Sequence, residues 1–108
     1  MTQLERITEM ERRLDASAAA LRALSEALEQ YRAVEPDLKA LFDYYFSPQW
    51  LQDFDDDAAG KLPQELKRGV LSEDAVYDLL TEQQRIMQEL QALVGAADVS
   101  RETSSAMQ

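Results

Sequence analysis

The chain predicts an all-α fold: a long helical hairpin, its first and last helices antiparallel, with short central helices packing across one end to make a small bundle. Three observations carry this reading. Apolar residues recur at steps of three and four through the first 34 positions and again from 76 to 94. Only 3 Gly and 3 Pro punctuate 108 residues, too few for the turns of a sandwich or barrel. Ala, Leu, Glu and Gln, all good helix formers, dominate the composition. The apolar share of 45% against 30% charged is an ordinary globular balance, so the chain is expected to fold. Its length fits a single helical domain, residues 1–95, followed by a polar, non-periodic tail, residues 96–108, expected to be disordered.

The first helix has the strongest pattern. Leu4, Ile7, Met10, Leu14, Ala18, Leu21, Leu24, Leu28, Tyr31 and Val34 form one stripe. Their mean spacing lies nearer the heptad period than 3.6, which predicts coiled-coil winding around a partner helix over roughly 30 residues, about 45 Å. Thr2 is placed to cap it, and Glu9 with Arg13 and Arg22 with Glu26 stand four apart on its polar side.

Pro36 interrupts the pattern, although Leu38, Leu41, Phe42 and Tyr45 continue the stripe. Either a second helix starts there, over about 36–46, or one long helix kinks; the break is favoured because Asp37 suits a first turn. Ser47-Pro48 reads as cap plus first residue of a short helix carrying Trp50, Leu51 and Phe54 and ending in the aspartates at 55–57. Gly60 and Pro63 bracket a loop, and Pro63 to Arg68 is expected to make a turn or two of helix ending at Gly69. Ser72 caps the last helix, whose apolar face runs Val76, Leu79, Leu80, Ile86, Met87, Leu90, Leu93 and Val94 and stops at Gly95. At roughly 30 residues against about 22, the first helix outruns the last, so part of its stripe needs another cover, which leaves self-association open.

Composition narrows the chemistry. No Cys and no His means no ordinary zinc site, thiol nucleophile, disulfide or imidazole acid–base pair. There is no Gly-rich phosphate loop, no nucleophile elbow and no basic cluster beyond Lys67-Arg68, which a helix C-terminus explains more economically. Carboxylates alone can catalyse, but they need a concave pocket and unlike environments, which a slim helical hairpin scarcely offers. The reading is therefore of a protein that is not an enzyme, with no cofactor and no evident small-molecule ligand. A net charge of −10 opposes nucleic acid and anionic membrane. With no apolar run long enough for a signal peptide or a membrane span, the expected location is the cytoplasm.

Three local features invite functional readings. Asp53, Asp55 and Asp57 repeat every second residue like the first ligands of a calcium loop, but Ala58 and Gln64 stand where such a loop needs Gly and Glu. A divalent-metal site on this acidic loop is the alternative, and a solvated acidic surface is preferred. Charge is uneven: residues 1–34 carry 5 basic and 6 acidic groups, residues 35–60 carry 1 and 7. That acidic middle either docks a basic partner, as a nucleic-acid mimic does, or serves solubility, and solubility is favoured. Six of the 8 aromatics, Phe42, Tyr44, Tyr45, Phe46, Trp50 and Phe54, lie within 13 positions. Tyr44, Tyr45 and Phe46 point about 100° apart on a helix, so at least one must face outward. An interaction surface and a small aromatic core closing the hairpin are equally weighted.

The run from Lys61 to Leu80, KLPQELKRGVLSEDAVYDLL, resembles the signature of a small bacterial family, domain of unknown function four-two-nine-eight. The opening LERITEM of Leu4 to Met10, together with Tyr44, Tyr45, Ser47 and Trp50, is similar to the N-terminal half of that family, so the resemblance covers about residues 1–94. It implies an acidic, mostly helical cytoplasmic protein of bacteria or their phages, without an established activity. Within the signature, Pro63, Gly69 and Ser72 read as helix punctuation and Val70 and Leu71 as a plug at the corner. Asp74, Tyr77 and Asp78 remain as a polar patch, expected to hold a Lys or Arg of the chain or a partner. The function expected is a non-enzymatic protein–protein interaction or accessory module, its surface drawn from Tyr44, Tyr45, Phe46, Trp50, Phe54, Asp74, Tyr77 and Asp78.

Overall fold

A computed structural model describes the backbone of residues 1–106 and the side chains of residues 1–98. The fold is all-α. Helix α1 spans Gln3–Tyr45, α2 spans Pro48–Ala58, a 3₁₀ turn covers Gly69–Leu71, and α3 spans Ala75–Ala106. No strand occurs among the described residues. The backbone divides into two units, residues 1–40 and 41–108, and each is taken by itself.

Unit 1 is a stretch of α1 alone. Thr2 caps it as expected: its Oγ1 accepts from the Glu5 amide at 3.1 Å and its carbonyl from the Arg6 amide at 3.0 Å. Glu9 pairs with Arg12 at 2.6 Å and Arg13 at 3.1 Å, whereas no ion pair joins Arg22 to Glu26 among the described residues. No residue of α1 is buried, and the stripe is open to solvent at Leu4, Ile7, Met10, Leu14, Leu21, Leu24, Leu28 and Val34.

The helix does not break at Pro36, contrary to the sequence expectation; Pro36 lies inside α1. A proline there forfeits one amide-to-carbonyl bond, to Arg32, and crowds the preceding turn. The flanking Ala33, Glu35, Leu38, Lys39 and Ala40 include several of the best helix formers, and they carry the helix across.

Unit 2 is built on a sharp corner. α1 ends at Tyr45, and Ser47 already caps α2: its Oγ accepts from the Trp50 amide at 3.3 Å and donates to the Tyr44 carbonyl at 2.6 Å, with Pro48 in the first turn. α2 runs through all four of its aspartates to Ala58 and closes with Gly60 left-handed at φ 73°. The Gly60 amide bonds the Asp57 carbonyl and the Lys61 amide the Asp56 carbonyl, both at 3.0 Å, a Schellman closure. Gly60 is the one position here where a side chain would meet backbone strain.

Pro63 to Arg68, expected as helix, is only a turn, with the Leu66 amide on the Pro63 carbonyl at 3.2 Å. The Arg68 guanidinium donates to that same carbonyl. Gly69 opens the 3₁₀ turn instead of ending a helix. Ser72 Oγ accepts from the Asp74 amide at 3.3 Å, as a cap should, but regular helix begins three residues later at Ala75. α3 also passes Gly95, where a stop was expected, and continues to Ala106. One interior glycine costs only about 1 kcal/mol relative to alanine, which the surrounding Ala-rich turns absorb. Of the expected tail, residues 107 and 108 lie outside the described residues, as do the side chains from 99 onward.

The core of unit 2 is small. Leu71 and Val76 are buried at 7% and 3% exposure, on either side of the Ser72 junction. Val70, Leu80 and the aromatics around Trp50 are half-buried about them. Val70 and Leu71 thus plug the corner as the sequence predicts.

Candidate functional site

The aromatic cluster is one interlocked array in unit 2. Because the corner at Ser47 folds α2 back within reach of the end of α1, Tyr45 meets Trp50 edge-on with centroids 5.0 Å apart. Trp50 in turn stacks on Phe54 at 5.2 Å, one helical turn further along α2. Phe46 touches the edge of Tyr45 at 5.1 Å but is itself 67% exposed, so it is the member of the triplet that faces outward.

Each polar tip of the array has a partner. Trp50 Nε1 donates to the Val70 carbonyl at 2.8 Å, Tyr45 Oη to the Glu73 carbonyl at 3.0 Å, and Tyr44 Oη to Asp53 Oδ2 at 2.5 Å. These bonds join the end of α1, the face of α2 and the segment leading into α3. Sequence reasoning missed the acceptors at Val70 and Glu73, since a backbone carbonyl in a loop leaves no mark in residue type. Partial burial, together with the carboxylate of Asp53 beside it, pushes the Tyr44 phenol up to about 12.

The acidic residues are dispersed over α2, not gathered in a loop. At 100° per residue, Asp57 lies about 40° from Asp53 around the helix, and Asp55 about 200° away. Asp53 holds Tyr44, Asp56 accepts from Gln52 at 3.0 Å and pairs with Lys61 at 3.7 Å, and Asp57 meets Arg68 at 3.2 Å. Among the described residues no group of three acidic side chains converges to hold a metal ion. The calcium-like spacing of 53, 55 and 57 therefore does not become a ligand set, because helical geometry sends alternate residues to opposite sides.

Asp74, Tyr77 and Asp78 sit at the start of α3. The Asp74 carbonyl accepts from the Asp78 amide at 2.8 Å and the Tyr77 carbonyl from Thr81 Oγ1 at 3.1 Å, while all three side chains are exposed. No Lys or Arg pairs with Asp74 or Asp78 among the described residues, so the expected intrachain cation is not found. Further along α3, Arg85 bridges Glu82 and Glu89, both at 2.6 Å, and holds the Glu82 carboxyl below its ordinary range. Beside the array, Tyr44, Asp53, Leu62 and Lys67 border an open hollow of about 340 Å³. Tyr44 and Asp53 on its wall are bonded to each other, and that bond braces the end of α1 against α2.

Unit 1 contributes a face of another kind. The residues at heptad spacing, Ile7, Leu14, Leu21 and Leu28, with Met10 and Leu24 between them, present large apolar surface to water. No described helix is long and apolar enough to cross a membrane. No characterised protein and no solved structure matches the chain. The family model for a domain of unknown function, DUF4298, matches residues 7–92, close to the extent of the resemblance, and the chain belongs to that family.

Proposed function

We propose that this is a non-enzymatic, cytoplasmic interaction or accessory module of bacteria whose contact surface is the apolar face of α1. The observation that carries the reading is the run of exposed large side chains from Leu4 to Leu28 on one helix, Leu21 at 67% exposure. Single exposed leucines are ordinary, but a stripe repeating at heptad spacing is the pattern that helix-in-groove and coiled-coil partners recognise. The aromatic array supports the same division of labour: Tyr44, Tyr45, Trp50 and Phe54 brace the corner, leaving Phe46 and Tyr77 as its outward aromatics. The net charge of −10 favours protein partners over nucleic acid and anionic lipid.

The test is site-specific photo-crosslinking in the native host. A photoreactive residue at Leu21 is expected to yield discrete protein adducts, whereas one at Arg22, about 100° around the helix, yields few. Equal labelling from both positions, or none from either, would overturn the reading.

A further inference from the structure

We infer that the partner of this face is a second copy of the chain, so that the protein is a dimer through the N-terminal part of α1. The inference rests on the functional reading above and names its occupant.

Charge distribution is the first argument. The chain carries −10, yet residues 1–34 hold 5 basic and 6 acidic groups, a net −1, leaving −9 for the remainder. Two copies brought together through the acidic corner would set like charges against each other at short range. Brought together through α1 they meet at a nearly neutral stretch of the chain.

The second argument is self-complementarity. Ile7, Leu14, Leu21 and Leu28 occupy one heptad position, with Met10 and Leu24 at the position three residues on, and this seam supplies both knobs and holes. Arg6, Glu11 and Arg32 flank it, and none of them has a charged partner in the chain among the described residues. Heptad geometry sets Glu11 opposite Arg6 of a parallel copy, or opposite Arg32 of an antiparallel one. The seam therefore has opposite charges to meet its own flanks in either orientation.

Area is the third. Residues 4–34 span about 46 Å of helix, and a strip about 11 Å wide along that length covers roughly 500 Å² on each copy. The total of roughly 1,000 Å², before side-chain relief is counted, reaches the size that separates biological interfaces from casual contacts.

The experiment is light scattering coupled to size exclusion on the full chain, from about 1 to 200 μM. Wild type is expected to weigh twice 12.3 kDa at the upper concentrations. The double variant Leu14→Gln, Leu21→Gln is expected at the single mass with Trp50 emission unchanged, because both side chains are exposed in the chain, at 61% and 67%. Phe46→Gln, at the outward edge of the corner, is the control and stays dimeric. Wild type at 12.3 kDa throughout overturns the inference whatever the variants do. So does a dimer that the double variant leaves intact, or one that Phe46→Gln dissolves. A monomer whose Leu21 photo-adducts are with other proteins rejects self-pairing yet keeps the interaction reading; a monomer with no adducts rejects both.

Discussion

The indole Nε1 of Trp50 and the carbonyl of Val70 are 2.8 Å apart across 20 residues of sequence, and this bond ties α2 to the 3₁₀ turn. Trp50→Phe keeps most of the ring packing but removes the donor, with an expected loss of about 1–2 kcal/mol. Trp50→Ala also removes the stacking with Phe54 and the edge contact with Tyr45, for a loss of about 3 kcal/mol. Urea unfolding followed by far-UV circular dichroism measures both, and equal losses in the two variants would show that the ring packing contributes little.

Ser47→Ala tests the corner from the other side. The hydroxyl satisfies the Trp50 amide and the Tyr44 carbonyl together, so its removal is expected to cost about 1 kcal/mol. Ser47→Asp restores an acceptor for the amide and should recover part of the loss in the same measurement.

Tyr44 sets an alkaline limit. Its phenol is pushed up from the ordinary 10.0 to about 12, so the folded chain retains a proton that the unfolded chain gives up. Stability from this group is fully present below pH about 10 and is lost as pH rises towards about 12. Absorbance at tyrosinate wavelengths should show a transition near pH 12 that vanishes in Tyr44→Phe; a transition unchanged in that variant would reassign it.

Calcium, magnesium and manganese are each expected to give no saturable heat at millimolar concentration, because Asp55 faces away from Asp53 and Asp57 on α2 and no third acidic group joins that pair among the described residues. A saturable heat abolished by Asp53→Asn, Asp57→Asn would show that the helix end rearranges to gather them.

How much of this was legible in sequence depends on the range of the interaction involved. Thr2 and Ser47 act through amides within three residues, and both caps could be read directly. The 100° steps between Tyr44, Tyr45 and Phe46 required that at least one face outward, but which one was set by the end of α1 at Tyr45, just before Phe46. Pro36 misled because proline carries a strong local penalty, and the helix formers on both sides outweighed it. Pro63 to Arg68 misled in the opposite way: the guanidinium of Arg68 turns back onto the Pro63 carbonyl and onto Asp57, a choice no local propensity contains. The acidic triplet looked like a loop motif until the Schellman closure at Gly60 placed the helix end beyond it.

Pro36→Ala should restore an amide for the Arg32 carbonyl and relieve the ring, stabilising α1 by up to about 3 kcal/mol. Slower amide exchange for residues 33–40 is the expected readout, and unchanged exchange would mean that the turn is already fully bonded through water.

An uninterrupted ladder passes melting from one turn to the next; a missing rung stops it. With no amide at Pro36 to meet the Arg32 carbonyl, winding and unwinding of the amino-terminal turns need not propagate to the turn that presents Tyr44 and Tyr45. α1 is then continuous in geometry and divided in cooperativity, so its outer half can order itself on whatever it grips while the braced corner stays as it was.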